Sequence, residues 1–130
     1  MASITRLGRV IIAVSDQDKA IAFYTEKLDF TVAADIPFGD GNRWVEVAPP
    51  NGGAAIALAQ PMNEFQAGRE TGIALETSDA RAAHDELKGK GVDVDTELMG
   101  GDGTVPLLFG FRDGDGNGLM IVEQDRKSVV

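Results

Sequence analysis

The chain has 130 residues, 43% apolar and 25% charged, which suits one globular domain able to bury a core without metals or cross-links. It contains no cysteine, so disulfide frameworks, thiol catalysis, thiolate zinc sites and iron–sulfur clusters are excluded. A net charge of −9 repels phosphate backbones and anionic lipid, so neither nucleic acid nor a membrane surface is expected as a partner.

The stretch up to Val14 lacks the basic region, long apolar run and cleavage site of a secretory signal, and no run approaches a membrane span. A cytoplasmic address is therefore expected. Glycine, at 16 residues, exceeds its usual share of about 7% and points to many tight turns.

Arg9 to Val14 alternates in the manner of a strand packed on one side. Ser15 or Asp16 then caps a helix whose apolar stripe is Ala20, Ile21, Tyr24 and Leu28, with its end near Leu28. Three strands follow, near 30–35, 43–48 and 54–59, and 60–70 reads as a linker. The pattern then repeats: Gly72-Ile-Ala-Leu-Glu-Thr-Ser-Asp79 overlies Arg9-Val-Ile-Ile-Ala-Val-Ser-Asp16 at an offset of 63. Ser78 or Asp79 caps a second, shorter helix with Ala80, Ala83 and Leu87 as its stripe and Gly89 or Gly91 as its stop. Further strands are predicted near 92–98, 106–111 and 119–123, with 113–116 overlying 50–53 and 119–121 overlying 56–58 at the same offset and without a gap.

Each half thus reads βαβββ, over about 5–60 and 68–125 of a single domain spanning 1–130. The predicted class is α+β: a cup-shaped, mostly antiparallel sheet with both helices on its outer side. Residues 126–130 read as a loose tail.

Val10, Ile12, Val14, Ile56, Leu58, Ile73, Leu75, Leu119 and Ile121 are the bulkier alternating set and are assigned to the helix side. The opposite face then carries Arg9, Ile11, Ala13, Ala55, Ala57, Ala59, Gly72, Ala74, Glu76, Gly118, Met120 and Val122. Small side chains there either leave space for a small molecule or let another layer pack closely.

Three segments carry a family resemblance: Val10-Ile-Ile-Ala-Val-Ser-Asp16, Ala20-Ile-Ala-Phe-Tyr24 with Leu28 and Phe30, and Phe111-Arg-Asp-Gly-Asp-Gly-Asn117. With them the chain resembles the vicinal oxygen chelate superfamily, which includes glyoxalase I, extradiol dioxygenases, fosfomycin-resistance enzymes and bleomycin-binding proteins. Gly114 departs from the proline usual in that turn. Membership implies paired βαβββ modules forming a cup, and commonly a homodimer. It also places the metal ligands of glyoxalase-type members at Arg9, Ala57, Gly72 and Met120. None of these is His, Glu or Gln, so no metal and no cofactor is expected, and Arg9 would repel a cation.

Other chemistry is weaker. Asp113-Gly-Asp-Gly-Asn117 matches the opening of a calcium-binding loop, but Gln124 stands where the bidentate glutamate belongs, so a hairpin turn is expected. His84 falls on the second helix behind the sheet, which fits a structural or solvated histidine rather than a proton-transfer group. Glu46 and Glu76 are the candidate catalytic carboxylates; the competing reading pairs them with Arg9 or Arg43. Trp44, Phe109 and Phe111 lie on related strands and are candidate ligand contacts, with Phe38 and Phe65 in flanking loops.

The expected binding set is therefore Arg9, Ile11, Trp44, Glu46, Ala57, Gly72, Glu76, Phe109, Phe111 and Met120. The function expected from it is metal-independent binding of an apolar or aromatic small molecule, an antibiotic included. The competing expectation is a glyoxalase-like lyase or isomerase, or a dioxygenase-related enzyme, using Glu46, Glu76 or a relocated metal.

Overall fold

The computed structural model describes residues 3–61 and 65–124, so the tail expected at 126–130 lies outside the described residues. The chain divides after Gly68 into two units.

The first unit contains β1 (Arg9–Ala13), α1 (Gln17–Leu28), β2 (Thr31–Phe38), β3 (Asn42–Ala48) and β4 (Ala55–Ala59), in the sheet order β1-β4-β3-β2. β1 runs parallel to β4, and the other two pairings are antiparallel. Asp16 caps α1 by accepting a hydrogen bond from the Lys19 amide, and Asp29 closes it in the left-handed conformation. The stripe that buries this helix runs through Gln17, Ala20 and Tyr24. Tyr24 is fully buried, with Phe23 edge-on to it at 5.3 Å and Phe30 at 5.9 Å. The Gln17 amide donates to the Arg43 and Leu58 carbonyls at 3.0 and 2.9 Å, which ties the start of α1 to β3 and β4. Val45, Val47, Ile56 and Leu58 are buried on the helix side.

The second unit contains β5 (Glu70–Thr77), α2 (Ala80–Gly89), β6 (Asp93–Val94), β7 (Leu108–Arg112) and β8 (Gly118–Glu123), in the order β5-β8-β7-β6. β5 runs parallel to β8, repeating the first unit's closure of its opening strand onto its last. Asp79 caps α2 through the Ala82 amide, and Ala80, His84 and Leu87 are its buried residues at helical spacing. β5 begins at Glu70, inside the expected linker, and its register shifts between Glu70 and Ala74. Gly72 occupies that bulge at φ +76, a conformation costly for any residue with a Cβ. The strand expected over 92–98 shortens to two residues. Beyond Val94 the Asp95 amide still donates to the Gly110 carbonyl, and Met99 bridges Leu108.

Both units are therefore α+β with a βαβββ order, as the periodicity predicts. Asp113-to-Asn117 is a turn: Asp113 Oδ1 accepts from the Asp115 and Asn117 amides, and its Oδ2 accepts from Asn117 Nδ2. Those carboxylate lone pairs are engaged within the loop itself.

Candidate functional site

Each sheet has one face covered by its helix and one face turned away from it. On the first sheet the register sets Ile11 beside Ala57 and Ala57 beside Glu46, while Trp44 lies opposite Ile36. These side chains share the helix-free face with Arg9, two residues from Ile11. Three of the expected site residues converge there. Glu46 Oε2 accepts from Arg9 Nε at 2.8 Å and from Trp44 Nε1 at 2.6 Å. Arg9 and Glu46 belong to strands separated by β4, roughly 10 Å apart. The alanines of β4 leave room for the Arg9 side chain to cross.

Glu46 is buried, whereas the Arg9 side chain is 52% exposed. Arg9 donates to Glu46 through Nε alone; its two terminal nitrogens have no partner among the described residues. Trp44 is half-buried, and the neighbouring Ile11 and Ile36 are 45% and 57% exposed. Phe38 ends β2 as a strand residue rather than a loop residue. The other candidate partner for Glu46, Arg43, faces the helix side, where it binds Asp18 at 2.9 Å and Asp35 at 2.8 Å. Its hydrogen bond holds the Asp35 carboxyl below the usual carboxylate range, and the two acids hold Arg43 more firmly protonated.

On the second sheet the helix-free face carries Ala74, Glu76, Met120, Val122 and Gly110. Glu76 is exposed and has no partner among the described residues. The expectation for Phe109 and Phe111 is corrected here. Both are fully buried, pair with Ile121 and Leu119, and lie on the helix side, with the His84 ring edge-on to Phe109 at 5.0 Å. The reason is a one-residue gap between the halves. Ala57 corresponds to Met120 at an offset of 63, but their strand partners Glu46 and Gly110 correspond at 64. One residue of slip moves a whole strand's side chains to the other face. The position matching Glu46 is therefore glycine, and the position matching Trp44 is Leu108.

Asp95 occupies the space over that glycine. Its Oδ2 accepts from the Gly110 amide at 3.0 Å and would lie 2.8 Å from a Cβ placed there. Its Oδ1 accepts from Arg112 Nη1 at 2.7 Å, and Arg112 also binds Asp93, whose carboxyl it holds below the usual range. The Asp95 carbonyl lies 2.7 Å from His84 Nε2; a carbonyl only accepts, so His84 carries its proton on that nitrogen and serves the core. Sequence reading missed Asp95 and Arg112.

The residues at the four positions where the resemblance implies metal ligands do not suit a metal. Arg9 is a cation, Ala57 and Gly72 have no donor, and Met120 offers only a thioether. Among the described residues no group of three or more His, Asp or Glu side chains is placed to hold an ion. No helix among them is long and apolar enough to cross a membrane.

The comparisons agree with this architecture. The chain is 31% identical over 123 residues to the uncharacterized protein YetH of Bacillus subtilis, covering 92% of this chain and 99% of that one. A superfamily member from Sphaerobacter thermophilus superposes with a TM-score of 0.86 at 31% identity, covering 95% of this chain and all of the other. TnmS3, an antibiotic binding protein from Streptomyces sp. CB03234, superposes at 0.82 with 30% identity, covering 96% of this chain and 100% of its own. Residues 6–121 match the family pattern itself, and with both βαβββ units in place the chain belongs to the Glyoxalase/Bleomycin resistance protein/Dioxygenase superfamily.

Proposed function

We propose that this protein binds an apolar or aromatic small molecule, an antibiotic among the candidates, on the helix-free face of its first sheet and without a metal. The observation that carries the reading is the Arg9–Glu46–Trp44 cluster, which fixes a half-buried indole beside exposed Ile11 and Ile36. A rigid aromatic plane with apolar neighbours and few polar groups suits ligand binding more than bond breaking. The non-ligating side chains at the family's metal positions support it, as does the likeness to an antibiotic binding protein. Ile11, Trp44 and Ala57 of the first sheet are proposed contacts; Phe109 and Phe111 are not.

The protein is further proposed to be a cytoplasmic homodimer. Ile4 and Leu7, at 85% and 71% exposure, supply apolar surface that a second copy would cover. Glu76, exposed on the second sheet with no partner among the described residues, favours the competing catalytic reading. Trp44 is the only tryptophan, so its emission tests binding directly. Titration with aromatic antibiotics and metabolites is expected to quench or shift it. Silence across the panel would overturn the proposal, and stoichiometric metal in protein purified without chelator would favour the enzyme.

A further inference from the structure

We infer that Arg9 recognises an anionic oxygen on the ligand, so the ligand class is an aromatic acid with a flat apolar body and a carboxylate at its edge. This rests on the binding reading above and narrows it. Glu46 Oε2 accepts from both Arg9 Nε and Trp44 Nε1, so guanidinium and indole are held around one atom. Their nitrogens are separated by no more than those two bond lengths combined. An Arg tied through Nε keeps its end-on pair of N–H bonds, one on each terminal nitrogen, facing away from that carboxylate, and here these have no partner among the described residues, on a side chain 52% exposed. That is a pre-set fork, whose parallel donors match the two oxygens of a carboxylate.

The surroundings select what the carboxylate is attached to. Trp44 offers an aromatic plane, and Ile11 and Ile36 expose apolar surface on the same face. A neutral apolar ligand covering this patch would strip water from the guanidinium and return no acceptor, which is penalised. An aromatic acid satisfies both halves. The net charge of −9 opposes anions at long range, but charges beyond about 8 Å are screened at physiological salt, whereas the fork acts in contact. Glu46 lies behind the guanidinium and offsets part of its field, so a moderate preference is expected.

The test compares 2-naphthoate with its neutral methyl ester by Trp44 quenching, in wild type, Arg9→Lys and Arg9→Gln. Wild type is expected to bind the acid about ten-fold tighter than the ester, or about 1.4 kcal/mol. Arg9→Gln should bring the two within about two-fold by weakening the acid alone, and Arg9→Lys, which keeps the charge without the fork, should fall between. Equal binding of acid and ester in wild type overturns the inference and leaves the ligand-binding reading standing. An acid preference that survives Arg9→Gln overturns the assignment to Arg9. If neither probe quenches Trp44, the inference falls, and the binding reading falls with it only when the wider panel is silent too. Should Arg9→Gln not fold by circular dichroism, Arg9→Lys and the wild-type ratio decide.

Discussion

Replacing Glu46 by alanine separates a buried anchor from an ordinary surface acid. In the folded protein Glu46 is buried and takes two hydrogen bonds on one oxygen, at 2.8 and 2.6 Å. A hydrogen bond to a charged group is worth about 1.5–3 kcal/mol. The Arg9 side is discounted to about 0.5–1 kcal/mol, because its half-exposed guanidinium rehydrates when the partner is lost. The Trp44 N–H is half-buried and rehydrates less well, so it keeps about 1.5 kcal/mol. Glu46→Ala should therefore cost about 2–2.5 kcal/mol, whereas Glu76→Ala, which removes an exposed carboxylate with no partner among the described residues, should stay within about 0.5 kcal/mol. Urea unfolding followed by far-UV circular dichroism measures both without relying on the tryptophan that the first substitution disturbs. A cycle adding Arg9→Ala should give a coupling of at least about 0.5 kcal/mol. Matching losses for Glu46→Ala and Glu76→Ala, or no coupling to Arg9, would refute the idea that the cluster holds the indole in place.

Phe109→Ala should cost about 3–5 kcal/mol in the same assay, and Phe109→Leu much less, with ligand quenching of Trp44 retained; lost quenching in the folded leucine variant would place Phe109 back among the contacts. The carboxyls of Asp35 and Asp93 titrate below the unfolded value of about 3.9, so their stabilisation is complete above it and disappears as pH falls through the lower folded values. The gap in melting temperature between wild type and Arg112→Gln should accordingly shrink as pH drops from about 5 to about 2, and an unchanged gap would contradict the pairing with Asp93. Light scattering at micromolar protein should give twice the chain mass of 13.8 kDa; the monomer mass would overturn the proposed dimer.

The parts of the fold that local chemistry decides were legible in the sequence. Asp16 and Asp79 cap their helices where Ser-Asp precedes an apolar stripe, and the Asp-Gly-Asp-Gly-Asn run is the turn its residue types demand. The sheet faces were legible on β1, β4, β5 and β8, because large and small residues alternate there. On β7 they were not. Phe109 and Phe111 are the largest residues of that strand, and only strand pairing reveals the extra residue that turns them toward α2. The Arg9–Glu46–Trp44 cluster was half legible: pairing of Glu46 with Arg9 or Arg43 was among the alternatives, but only strand order decides between the two arginines, and the Trp44 N–H donating to the same oxygen was not foreseen. Asp95 escaped notice because its role depends on the bare backbone of Gly110, a contact set by the absence of a side chain.

The parallel ladders of β1 with β4 and of β5 with β8 have one more consequence. Because each half joins its first strand to its last, each sheet's hydrogen-bond ladder is completed by strands of that half alone. The halves are accordingly free to specialise. One carries a pinned cation and indole, while its counterpart shows a bare glycine, a thioether and an acid with no partner among the described residues. Under the proposed binding role, ligand preference would be altered first by substitutions in the half that carries the cluster, with its own ladder as the scaffold.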